Sequence, residues 1–214
     1  MSHSLLRIVV GEFESDKKSH QPAYQVILEL LWRKGFAGAT VFRSTEGLDA
    51  EGNLRTFILE DVQFNNLPIM IETVDKTELI ESVIADIQKH NPDGLVMIFP
   101  VTKPFEEEWT MKDHEHLALK IFIKDESKWL ETPLYDQLLF LFREKKLIWS
   151  TITKAIEGFG KDHVIQKDKL FSLSSHAPVV MECIGEAKVI QEILPEIKKR
   201  VKEGLVISYP VKVM

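Results

Sequence analysis

The chain has 214 residues, 44% of them hydrophobic and 28% charged, enough apolar material for one or two packed cores. No apolar run approaches the roughly 18 residues of a membrane-spanning helix, and Met1-Ser2-His3-Ser4 lacks the basic-then-apolar opening of a secretory leader. The single cysteine, Cys183, excludes an internal disulfide framework, and a formal charge of −6 disfavours a general nucleic-acid binder, so a cytoplasmic protein is expected.

In chain order, Leu6, Ile8 and Val10 alternate with Arg7 and Val9, which predicts a first strand with one inward face. Tyr24, Ile27, Leu28 and Leu31 then recur at helical spacing after Pro22, with Gly35 as the stop. Ala39–Ser44 reads as a second strand and the run after Pro68 as a third, separated by a connection of about 20 residues. Ile80, Val83, Ile84 and Ile87 mark a second helix, for which Asp75 and Glu78 suggest a capping-box-like start. Gly94 is expected to end that helix ahead of a final strand, Leu95–Phe99.

The second half repeats the pattern. Leu119, Ile121 and Ile123 predict the strand; Tyr135, Leu138, Leu139 and Phe142 the helix, with Thr132 as a candidate N-cap before Pro133. Ser150–Ala155 and the run after Pro178 follow. Ile190, Ile193, Leu194 and Ile197 mark a helix containing Pro195, which should kink it, and Gly204 and Leu205–Tyr209 close the copy.

Individual blocks recur in order. Pro22-Ala23-Tyr24 returns as Pro133-Leu134-Tyr135, Glu46-Gly47 as Glu157-Gly158, Leu67–Glu72 as Ala177–Glu182, and Phe99-Pro100-Val101 as Tyr209-Pro210-Val211. The chain therefore reads as two units, 1–104 and 114–214, joined by a polar linker at 105–113 in which Phe105 and Trp109 are candidate anchors. The fold class is α+β: two tandem ferredoxin-like βαββαβ units with antiparallel sheets and helices on one face. The strands carry apolar residues on both faces, so the second face needs a cover, from the other half or from further copies.

These blocks resemble the domain-of-unknown-function 190 family, a relative of the PII-like (GlnB-like) signalling proteins. The resemblance rests on Leu6–Glu12, Pro22-Ala23-Tyr24, Gly35–Val41 and Glu46-Gly47 in the first copy, and on Pro133-Leu134-Tyr135 and Ile156–Gly160 in the second. His20-Gln21 and Glu131-Thr132 stand where the family usually has Gly-Lys. The resemblance implies a homo-oligomer, a trimer with sheets inward. It implies adenylyl nucleotides in clefts between units, and long loops that contact a partner protein, a membrane transporter being one candidate. No nucleophile–base pair or metal set stands out in the residues, so a non-catalytic protein without cofactor or metal is expected.

The candidate ligand-binding residues are Arg43, Glu46 and Gly47 in the first copy and Lys154, Glu157 and Gly158 in the second. A glycine at that point permits close backbone approach, the glutamate can accept from a ribose or an amine, and the cation can meet a phosphate. The plainer readings are a turn glycine, a solvated glutamate and a solvated strand-end cation. His114-Glu115-His116 beside Asp113 has no partner motif for a metal, and His163 and His176 read as surface residues. Cys183 reads as a buried, inert thiol. No Gly-x-Gly-x-x-Gly or Walker-type stretch is present. The remaining alternative is a ligand-free interaction protein whose loops bind a partner.

Overall fold

The computed structural model describes residues 2–48, 54–56, 66–91, 94–106, 114–124, 132–167 and 178–214. The first repeat contains β1 (His3–Gly11), α1 (Ala23–Arg33), β2 (Ala39–Arg43), β3 (Glu46–Leu48), β4 (Leu54–Thr56), β5 (Pro68–Lys76), α2 (Thr77–His90) and β6 (Leu95–Val101). The second contains β7 (His116–Lys124), α3 (Leu134–Glu144), β8 (Trp149–Lys154), β9 (Glu157–Phe159), β10 (Gln166–Lys167), β11 (Pro178–Glu186), α4 (Ala187–Arg200) and β12 (Leu205–Val211). Each repeat is thus a βαββαβ unit with a short hairpin in the connection between its second and third long strands.

Packing divides the chain differently from the repeat. One compact unit combines Met1–Phe99 with Ile156–Lys167; the other combines Pro100–Ala155 with Asp168–Met214. The first unit has a six-stranded sheet in the order β10-β9-β2-β5-β1-β6, the second a four-stranded sheet in the order β12-β7-β11-β8, and β3–β4 forms a separate ribbon. Within these, β2-β5-β1-β6 and β8-β11-β7-β12 are the same antiparallel ferredoxin-like arrangement.

In the first unit, Leu6, Ile8 and Val10 meet Ile27, Leu28 and Leu31 of α1 and Ile80, Val83 and Ile87 of α2 in one buried cluster. In the second, Leu119, Ile121 and Ile123 meet Leu138, Leu141 and Phe142 of α3 and Ile190, Ile193 and Ile197 of α4. Strand alternation and helical spacing on the same side of the sheet produce both clusters. On the opposite face Leu5, Phe42 and Val74 are buried in the first unit, and Ala118, Val180 and Ile207 in the second.

Several local expectations are corrected. Leu139 does not join the core: it is 37% exposed, while Leu141 is buried in the α3 cluster. Neither Thr132 nor the Asp75/Glu78 pair caps a helix. Pro133 and Lys76 occupy the N-cap positions without side-chain bonds, and Asp75 lies in β5, where it accepts from the Ala37 and Lys76 amides. Pro195 does sit inside α4 as expected, and the helix runs on to Arg200. Gly94 and Gly204 stand just ahead of β6 and β12, beyond the ends of α2 and α4.

Gly35 does stop α1, through a left-handed φ of 79° with Gly35 N–H donating to Trp32 O and Phe36 N–H to Leu31 O. The second copy closes α3 with the same two bonds, Lys146 N–H to Arg143 O and Leu147 N–H to Phe142 O, but with a lysine at φ 55°.

Residues 57–65 and 168–177 of the long connections, and Trp109 and Asp113 of the linker, lie outside the described residues. Phe105 does serve as an anchor: it packs on the second unit's core, with the Lys198 ammonium 5.6 Å from its ring centre.

Candidate functional site

The first copy's candidate residues, Arg43, Glu46 and Gly47, follow one another where β2 ends and β3 begins. Arg43, the last residue of β2, donates through Nε to Glu12 Oε2 at 2.9 Å, with a second guanidinium nitrogen 2.8 Å from the same oxygen. Glu12 follows β1, so the pair ties the loop-side ends of β1 and β2 together. Glu46 is exposed and opens β3, opposite Thr56.

Gly47 has no positive φ; a Cβ there would lie 2.7 Å from Pro68 Cγ. Its requirement is therefore close packing of β3 against the start of β5, not an unusual turn.

The second Glu-Gly pair lies in the same compact unit as the first. Glu157 and Gly158 open β9, which pairs with β2, Gly158 opposite Thr40 and Glu157 opposite Val41. Glu157 is 5% exposed, so it does not solvate a loop. Lys154, by contrast, ends β8 in the other unit, exposed, with its ammonium 5.6 Å from the centre of the Tyr135 ring. The repeat thus places Arg43 and Lys154 at equivalent strand ends, while the packing groups Arg43, Glu46, Gly47, Glu157 and Gly158 in one unit and leaves Lys154 in the other.

Two polar arrangements are not evident from spacing alone. The first recurs in both sheets. Arg7 Nε donates to Glu72 Oε1 at 2.8 Å, and the guanidinium lies 5.2 Å from the Phe99 ring centre. In the second unit Lys120 Nζ is 3.9 Å from Glu182 Oε2, and Tyr209 O–H donates to Glu182. Arg7 and Lys120 face Glu72 and Glu182 directly in strand register. The recurrence of a cation at the same step of each first strand is the signal that could have found them. The second arrangement joins Asp16, 5% exposed in the β1–α1 loop, to His90 at the end of α2.

Cys183 is buried and its thiol is pushed up to about 12, first by burial and then by the neighbouring Glu182 charge, which makes it a poor nucleophile. His163 has an exposed side chain, but its ring stacks on Phe159 with centres 6.0 Å apart and its carbonyl accepts from Trp32 Nε1. Among the described residues, no three His, Cys, Asp or Glu side chains gather as a metal site, and no helix is long and apolar enough to cross a membrane.

The profile of the domain-of-unknown-function 190 family, described as "Uncharacterized ACR", matches residues 3–103 and again 116–213. A UPF0166 protein of Aquifex aeolicus is 38% identical over 96 residues, covering 45% of this chain and 90% of the relative. A UPF0166 protein of Methanocaldococcus jannaschii is 29% identical over 90 residues, covering 42% of this chain and 82% of the relative. Each relative is therefore about one repeat long. Among solved structures, an unknown protein from Galdieria sulphuraria aligns over 99% of both chains, but at 8% identity and a TM-score of 0.29 that likeness carries no argument. The two profile matches coincide with the two βαββαβ copies, and the chain belongs to the domain-of-unknown-function 190 family, with two copies in tandem.

Proposed function

We propose that the chain is a non-catalytic regulatory protein of the PII-like kind. It takes a small anionic ligand of the adenylyl-nucleotide class where the second strand of a copy gives way to its long connection. Through those connections it signals to a partner protein, a membrane transporter being one candidate, and it works as a homo-oligomer, the trimer of the resemblance. The observation that supports the ligand is a repeated one. Arg43 and Lys154 end equivalent strands, and each is followed three residues later by a Glu-Gly step that opens a short hairpin. A cation three residues ahead of a Glu-Gly step in each copy suits a ligand whose charge and sugar must both be met.

A thermal-shift panel of ATP, ADP, AMP and cyclic AMP tests this. A ligand specific to the native state contributes about 2.7 kcal/mol at 100 times its dissociation constant, which is readily seen as a raised melting temperature. The Arg43→Ala, Lys154→Ala double variant should lose that rise. No shift from any nucleotide, or a shift indifferent to both substitutions, overturns the reading. The pairing of Arg43 with Glu12 favours a second reading, because that cation already has a carboxylate against it. On that reading the chain is a ligand-free interaction protein, and no nucleotide shifts the melting temperature.

A further inference from the structure

Arg43 ends β2 with its guanidinium engaged inside the chain. Nε and a terminal nitrogen converge on one oxygen of Glu12, at 2.9 and 2.8 Å. That side-on edge is the one a guanidinium offers to a phosphate. Glu12 Oε2 therefore stands where an incoming anion's oxygen would stand.

The backbone fixes this carboxylate. The Glu12 amide donates to the Leu67 carbonyl at 2.9 Å, the Phe13 amide to Asn66 Oδ1 at 2.8 Å and the Glu14 amide to the Gly11 carbonyl at 3.1 Å. Asn66 lies so close over Gly11 that a Cβ there would meet its side chain at 2.6 Å. On the other side, Arg43 stands opposite Ile69, and the Ser44 amide donates to the Pro68 carbonyl at 3.0 Å. Both partners are thus pinned to one stretch, 66–69, where β5 begins.

The pair is not an ordinary cross-strand contact. Arg7 and Glu72 face each other on adjacent strands, β1 and β5. Glu12 and Arg43 instead follow β1 and end β2, and β5 lies between those strands. At a strand spacing of about 4.8 Å, the two side chains reach across roughly 10 Å, which costs both of them rotamer freedom. The β1–β5 and β2–β5 ladders already hold the strands together without that contact. The side chains of Arg43 and Glu12 are 36% and 19% exposed, so the pair is open to an incoming solute.

We infer that Glu12 is a built-in stand-in for the ligand's anion. It occupies Arg43 in the free chain, sets how tightly the first copy's site takes an anion, and moves aside when one binds. This rests on the reading that an anionic ligand meets the end of β2, and it assigns that site's affinity-determining residue. A carboxylate tethered this closely competes at an effective concentration in the millimolar range or above. A dissolved anion has to displace it and then lie beside its negative charge. Arg43 becomes a ligand contact only once Glu12 is neutralised or displaced, so a cation found paired here is a site held shut.

Isothermal titration calorimetry of the full chain with ATP, and separately with inorganic pyrophosphate, tests this at fixed pH and ionic strength. Every variant carries Lys154→Ala, so that the first copy's cation is read alone. Glu12→Gln keeps the size of the side chain and an acceptor for the guanidinium but removes the charge. It should tighten binding of both probes about tenfold, through release of a part-exposed ion pair and relief of repulsion. Adding Arg43→Ala to Glu12→Gln should abolish that gain, whereas Arg43→Ala beside an intact Glu12 should change affinity by less than about twofold. Glu14→Gln, the same charge change two residues on, should also stay within about twofold. Circular-dichroism melting checks that each variant folds, and Glu12→Ala replaces Glu12→Gln if the latter does not.

Equal affinity with and without Glu12→Gln overturns the inference, and ATP binding to wild type then leaves the ligand reading standing without it. A gain that survives Arg43→Ala, or that Glu14→Gln reproduces, also overturns it, because the effect is then one of general charge. Pyrophosphate tightened through Arg43 while ATP binds no variant supports the inference and overturns the adenylyl reading. Failure of both probes to bind any variant overturns both.

Discussion

His90 Nδ1 lies 2.6 Å from Asp16 Oδ1, which fastens the loop between β1 and α1 to the last residue of α2. The other oxygen of Asp16 accepts from the Ser19 amide and hydroxyl, both at 2.8 Å, and from the Lys18 amide at 3.1 Å. His90 first, and then these donors, hold the Asp16 carboxyl well below the usual carboxylate range. A depressed folded-state value contributes stability above the ordinary value of about 3.9 and loses it as pH falls toward the folded value. Asp16→Asn should therefore melt below wild type at neutral pH, and the gap should narrow as pH drops under about 4. A gap of constant size across that range would show that Asp16 acts through packing alone.

Leu28 and Leu139 occupy the same step of the two repeats, yet one is 1% exposed and the other 37%. Leu28→Asp should cost about 3 kcal/mol or more, because it buries a charge among apolar side chains. Leu139→Asp should cost under about 1 kcal/mol in the isolated chain. Chemical denaturation of both variants checks this, and equal losses would place Leu139 in the core after all.

Lys146 holds a left-handed φ of 55° at the position Gly35 fills in the first copy. Lys146→Gly should raise stability by about 0.5–1 kcal/mol, since relief of the left-handed strain exceeds the entropy added to the unfolded chain. Gly35→Ala should lower it by about 1 kcal/mol. The two midpoints in urea should move in opposite directions.

At the candidate site, Gly47→Ala would drive a methyl group against Pro68 and should cost about 1–3 kcal/mol even without ligand. Lys154→Ala, at an exposed strand end, should stay within about 0.5 kcal/mol of wild type. Glu157→Ala removes a buried side chain and should lower the melting temperature by itself, so Lys154 rather than Glu157 is the clean probe of ligand binding. Differential scanning calorimetry without ligand distinguishes these three outcomes.

The alternation of Leu6, Ile8 and Val10, the helical spacing of Ile27, Leu28 and Leu31, and the ordered return of both in the second half were enough for the sequence alone to determine two βαββαβ copies. Those signals are local: a period of two or of 3.6 residues and a glycine at a helix end say which face of an element is apolar. They do not say which sheet edge a short hairpin will pair with, because every β-strand offers the same backbone donors and acceptors. Only the tertiary structure decided that Glu157–Phe159 lies along β2 rather than beside β8. In that arrangement Leu28 and Phe36 are buried, Leu139 and Trp149 are exposed, and Lys154 falls in a different compact unit from the Glu-Gly pair that follows it in the chain. Arg7–Glu72 and Asp16–His90 escaped the sequence reading for a related reason, since their partners lie 65 and 74 residues apart and meet only through strand register and helix packing.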